Sequence, residues 1–151
     1  MRPGRPRQAH AAQARSNRRS MPARDVPRGA GDFAVVGIGA SAGGLEACRK
    51  FLDALPARTG MAFILVQHLD PTHESMMVDL LASHTKMKVQ QASDGMPIER
   101  DHLYVIPPGS YLSVGDGALH LSEPRARHGA RLPFDFLLYS LAEESGGRVI
   151  C

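Results

Sequence analysis

Beyond residue 31, the apolar positions fall into short clusters that switch between a strand period and a helix period. Phe33–Ile38 carries the β-branched Val35, Val36 and Ile38 and reads as a strand packed on both faces. From near Ala42 to Leu55 the pattern turns helical, with Leu45, Ala47, Cys48, Phe51 and Leu52 on it, and Pro56 stops the helix. Ala62–Val66 is a second buried strand. Pro71 and Thr72 make a turn, and Thr72 or His73 leads into a helix through Ser83. Met76, Met77, Leu80 and Leu81 form its stripe, which reads as core. Lys88–Gln91 is a short third strand. Two strand–helix–strand units in a row predict a parallel sheet with right-handed crossovers.

The texture then changes. Ser93-Asp94-Gly95 is a turn, and His102–Ile106 a strand ended by Pro107-Pro108-Gly109. Tyr111–Val114 and Ala118–Leu121, joined by Gly115-Asp116-Gly117, predict a hairpin on a D-G-type turn. A basic loop follows, with Arg125, Arg127 and Arg131. Pro133 opens a helix whose apolar face is Phe134, Leu137, Leu138, Leu141 and Ala142. Gly146-Gly147 ends it, and Val149 begins another buried strand. The fold class is α/β, a Rossmann-like three-layer α/β/α arrangement with a mostly parallel sheet.

Charge separates the chain into two parts. Residues 1–30 hold eight arginines and one acid, a charge of +7, against −4 for the remainder. Residues 1–31 therefore read as a disordered basic tail and 32–151 as the domain. The tail would suit a polyanion, but a solvated extension is the plainer reading and no nucleic-acid partner is expected. It has no apolar core of a signal peptide. No apolar run reaches the ~18 residues that cross a bilayer. Two cysteines, Cys48 and Cys151, build no disulfide framework, so a reduced, cytoplasmic protein is expected.

The chemistry concentrates at the first strand–helix junction. Gly39-Ala-Ser41-Ala-Gly43 matches a G-x-S-x-G nucleophile elbow, strand before and helix after. Gly37-Ile-Gly39-Ala-Ser-Ala42 also matches the dinucleotide pattern G-x-G-x-x-G/A. Gly37, Gly39, Gly43 and Gly44 would permit positive φ and close backbone approach. The second strand leads out to Gln67-His68-Leu69-Asp70, which places a histidine, the usual base for a serine, where a nucleotide site wants an acid. His68, Asp70 and His73 could suggest a metal, but they straddle a strand end and a proline turn with no cysteine, and no metal or cofactor is expected.

Several runs resemble one family, the catalytic domain of CheB-type chemotaxis protein-glutamate methylesterases. They are Val36–Ala47 with Val66-Gln67-His68, Ala92–Ile98, Tyr104–Pro108 and Leu132-Pro-Phe-Asp135. The wording Gln67–Ser75 is closest to the version in hybrids with a CheR-type methyltransferase and sensor domains. The resemblance covers about residues 33–151. It implies hydrolysis of glutamate methyl esters, with related glutamine deamidation, on the cytoplasmic helices of methyl-accepting chemoreceptors. Ser41 falls on the family's nucleophile and His68 on its base. The family's aspartate belongs to a loop after the strand beginning at Val149, and no carboxylate here matches it. Asp94 and Asp135 match other family positions.

The resemblance thus implies a C-terminally truncated and impaired enzyme, since losing the aspartate of such a triad costs roughly 10⁴ in rate. The tail is too short for the receiver domain of stand-alone members, so control would come from further C-terminal domains or partners. Two other readings stay open: a non-catalytic module that docks receptor helices, and a nucleotide-binding Rossmann domain.

Overall fold

Strand β2 (Ala62–Gln67) sits at the middle of the sheet and is buried along its whole length. Its side chains alternate between two cores: Ala62, Ile64 and Val66 face one, Phe63 and Leu65 the other. A run with no polar residue before Gln67 is what a parallel strand covered on both faces requires. A computed structural model describes residues 32–67, 74–123 and 132–151. The basic tail, His68, Asp70, His73 and the arginines 125, 127 and 131 lie outside the described residues.

The strands are β1 (Val35–Ala40), β2, β3 (Lys88–Gln91), β4 (Met96–Pro97), β5 (His102–Val105), β6 (Tyr111–Gly115), β7 (Ala118–Ser122) and β8 (Val149–Ile150). The helices are α1 (Leu45–Ala54), α2 (Glu74–Ala82) and α3 (Pro133–Ser145). The main sheet has the order β3-β5-β2-β1-β8 and every pairing in it is parallel. From β1 the chain passes to β2, skips a place to the edge strand β3 and comes back to insert β5 between them, then crosses by α3 to set β8 on the other side of β1. β1 is therefore the point where the winding reverses, the position at which open α/β sheets place ligands.

Cys48 and Leu52 of α1 and Met77 and Leu81 of α2 cover one face of the sheet. Leu137 and Leu141 of α3 cover the other, together with Leu112, Val114 and Leu119 from the small antiparallel sheet β4-β7-β6. One outer layer is thus part helix and part sheet. The hairpin turns at Asp116 and Gly117, both at positive φ, as the D-G signal predicts. Tyr104, fully buried, ties β5 to this region: its hydroxyl accepts from Glu99 N–H at 2.9 Å and donates to the Pro97 carbonyl at 3.1 Å.

Some expectations need correcting. The first strand runs two residues later than Phe33–Ile38, because β1 pairs in register with β2 from Val35↔Ala62 to Ala40↔Gln67. Met76 is 67 % exposed, on the outer side of α2, while Met77 and Leu81 are buried. Ala142 is exposed, so the buried stripe of α3 centres on Leu137 and Leu141. β8 is not a buried strand here: Ile150 is half exposed, at the edge of the sheet.

At the entry to β5, Asp101 holds a left-handed φ of 57°. Its Oδ1 accepts from the N–H groups of Thr59 and Gly60 at 2.7 and 2.9 Å and from the Thr59 hydroxyl at 3.2 Å. These donors, the backbone N–H groups first, hold the carboxyl below its usual range. A depressed folded-state pKa gives stability that is present above the unfolded value and lost as pH falls through the folded one. Below about pH 4 the urea midpoint should therefore drop more steeply in the parent protein than in Asp101→Ala. Parallel slopes in the two proteins would show that Asp101 carries no such share.

Candidate active site

Ser41 leaves β1 at the C-terminal end of the sheet, with an extended backbone (φ −81°, ψ 174°). A 3-10 turn, Ala42–Gly44, follows and runs directly into α1. The Ser41 carbonyl accepts two hydrogen bonds, from Gly44 N–H at 2.8 Å and from Gln67 Nε2 at a longer 3.4 Å. The side chain makes no capping bond to the turn. An exposed hydroxyl that the helix start does not use is unusual for a serine in this position, where capping is the ordinary role.

A cleft of about 590 Å³ opens beside it, along β1 from Val36 to Ser41. Phe51 of α1 and Phe134 of α3 form opposite walls, and Cys151 lies at one end. The lining is mostly apolar. β8 pairs only with Val35 and Val36, so the β1 edge beyond them faces the cleft. Cys48 also lines it, but burial pushes its thiol up, so at neutral pH it is a protonated thiol and a poor nucleophile.

The glycines do half of what their pattern suggests. None of Gly37, Gly39, Gly43 or Gly44 has positive φ. Gly37 and Gly39 instead lie within β1 and admit α3. A Cβ on Gly39 would stand 2.7 Å from Phe134 Cδ1, and one on Gly37 3.3 Å from Leu141 Cδ1. The dinucleotide reading needs its first glycines at a tight turn; here they are strand residues, and the bend comes at Ser41.

Of the two sequence-derived site residues, Ser41 stands between a strand and a helix start, as the elbow pattern asks, but with an unstrained extended backbone. His68 lies outside the described residues, and it follows Gln67, the last residue of β2. Gln67 stands opposite Ala40 in the parallel register, so the chain leaves β1 toward Ser41 and β2 toward His68 at the same end of the sheet. Asp94 and Asp135 are both exposed; Asp94 Oδ1 accepts from Leu121 N–H at 3.0 Å, a structural use. Among the described residues no group of histidine, cysteine and carboxylate side chains could hold a metal ion.

One residue escaped the sequence reading as a site element. Gln67 is the buried polar side chain of the described residues, 6 % exposed, and its Oε1 finds no donor there. The signal was available: it is the single polar residue closing a strand of five apolar ones.

Residues 36–151 match the family model of the CheB methylesterase. The chain belongs to the CheB methylesterase family. A relative from Xanthomonas oryzae pv. oryzae, named protein-glutamate methylesterase/protein-glutamine glutaminase 2, is 34 % identical over 122 residues, 77 % of this chain and 33 % of its own length. One from Bordetella parapertussis, with the same kind of name, is 36 % identical over 120 residues, 75 % of this chain and 33 % of its own. The CheB-family chain thus spans about a third of the length of these curated relatives. The crystal structure of the Thermotoga maritima CheB methylesterase catalytic domain superposes with a TM-score of 0.67 at 23 % identity, covering 78 % of this chain and 64 % of that one. At that identity the likeness establishes the fold, a three-layer α/β architecture on a mostly parallel sheet. Among the described residues no helix is long and apolar enough to cross a membrane.

Proposed function

We propose that this CheB-type domain acts on glutamate methyl esters of chemoreceptor cytoplasmic helices, with Ser41 as nucleophile and His68 as general base. The observation that carries the reading is the position of Ser41: an exposed, uncapped hydroxyl at the reversal point of the sheet, beside the end of the strand that leads to His68. Membership of the family and the printed names of the relatives support the reaction class.

The chemistry follows from the two groups. His68 takes the Ser41 proton as the oxygen attacks the ester carbonyl, then protonates the departing methanol. Water, activated by the same imidazole, releases the glutamate. A glutamine substrate would lose ammonia by the same steps. The oxyanion needs N–H donors, and the Ala42 amide, next after the nucleophile, is one.

The test is methanol release from a receptor cytoplasmic fragment carrying radiolabelled glutamyl methyl esters, with covalent capture of Ser41 by a fluorophosphonate as the more sensitive arm. Methanol release together with a Ser41 adduct is the expected result. Binding of the fragment with neither adduct nor methanol would replace the enzyme reading by a receptor-docking module.

A further inference from the structure

The buried carboxamide of Gln67 has a second consequence. The Ser41 carbonyl and the Ala42 N–H belong to one peptide group, which is planar and trans, so the two point in opposite directions. Whatever fixes the carbonyl aims the N–H. Gly44 N–H takes one lone pair of that oxygen at 2.8 Å, and Gln67 Nε2 approaches the other at 3.4 Å. The Gly44 bond is internal to the turn and would move with it. Gln67 is anchored independently, on β2 opposite Ala40 and buried on all sides. It is the one side-chain donor on this carbonyl among the described residues.

We propose that Gln67 is a positioning residue: by holding the Ser41 carbonyl toward the sheet it keeps the Ala42 N–H aimed outward, as an oxyanion donor beside the Ser41 hydroxyl. This rests on the serine-esterase reading above. The orphaned Oε1 fits the role. A buried acceptor without a donor is costly to the fold. A side chain kept there for packing alone would be better replaced by an apolar one of its length. Groups that lower stability yet hold a reacting geometry are a recurrent feature of active sites.

Ser41–Ala42 is the one Ser–Ala pair in the sequence. Labelling serine with ¹³C at the carbonyl and alanine with ¹⁵N therefore gives a single ¹³C–¹⁵N-coupled resonance, from this peptide alone, whether or not the protein turns over. The full chain and its Gln67→Met and Gln67→Leu variants are compared, the second in case the first fails to fold. In either variant the Ser41 carbonyl resonance should move upfield, as expected for a lost hydrogen bond. The melting temperature should be equal to or above that of the parent. Fluorophosphonate capture of Ser41 should slow by roughly tenfold in its limiting rate, with half-saturating reagent unchanged, a fraction of the ~10²–10³ that losing an oxyanion donor costs.

An unmoved carbonyl resonance would sink the proposal. So would a moved resonance with unchanged capture, or slower capture accompanied by a lower melting temperature, which marks a merely structural residue. If the parent forms no Ser41 adduct at all, the esterase reading fails and takes this proposal with it. The resonance then still tells whether Gln67 holds the peptide.

Discussion

Ser41→Ala should abolish both the fluorophosphonate adduct and methanol release, and leave stability within about 0.5 kcal/mol of the parent. The asymmetry comes from the setting of the side chain. Its hydroxyl is exposed and makes no capping bond, so the turn loses no cap with it. The turn is held by the Ser41 carbonyl, which alanine retains. On the proposed mechanism the reaction loses its nucleophile entirely, and removing a triad serine elsewhere costs on the order of 10⁶ in turnover. Intact-mass measurement after labelling, alongside a urea titration, checks both halves. An adduct surviving in Ser41→Ala would move the nucleophile to another residue, and a large fall in stability would mean that the hydroxyl is structural after all.

Gly39→Ala destabilises the domain by about 1–3 kcal/mol, the usual cost of overpacking a filled site. The new methyl would lie 2.7–2.9 Å from Cδ1, Cγ and Cε1 of Phe134. Cγ is at the root of the ring, so a swing of the ring tip gives no relief; either the whole side chain changes rotamer or the first turn of α3 backs away from β1. Both outcomes reshape a wall of the cleft beside Ser41. Urea midpoints in a double-mutant cycle with Phe134→Ala decide it. Once the ring is gone the added methyl should cost much less, giving a coupling energy of order 1 kcal/mol or more. Additive effects of the two substitutions would show that ring and glycine do not constrain one another.

How far the sequence led can be seen element by element. The strand Lys88–Gln91 and the Asp116-Gly117 hairpin came out at the expected residues, because local signals define both: short β runs, and a turn that demands two positive φ values. The parallel main sheet was legible in the apolar run at β2, which only a doubly covered strand tolerates in water. Long-range terms decided what was missed. β1 ends at Ala40 and not earlier because its partner runs on to Gln67, information that lies 27 residues downstream. The two-residue β4 has no pattern of its own and exists by pairing with β7. Placement of β5 between β3 and β2 reverses the order in which those strands occur in the chain, which no periodicity encodes.

The site divides the same way. The setting of Ser41 between a strand and a helix start was visible from its elbow pattern. The work of Gly37 and Gly39 was half visible: spacing shows that something small is needed, while only the docked α3 shows that the reason is Phe134 and Leu141 and not a turn. Gln67 was visible as a polar residue ending an apolar strand, but its partner, a backbone carbonyl, carries no residue-type signature in sequence.

The pairing of β8 with β1 also bears on the order of folding. It joins Val35 to Val149 and Val36 to Ile150, the longest span in the sheet. The β6–β7 hairpin, closed across two residues, can form within microseconds. The β1–β8 pairing must wait until α1, β2, α2, β5 and α3 have shortened the effective loop between them, since closing long loops is entropically slow. Cys151, which follows β8 directly, reaches the cleft with that step. On this order Ser41 first sits on a strand with one neighbour, and the part of the cleft contributed by Cys151 is added last.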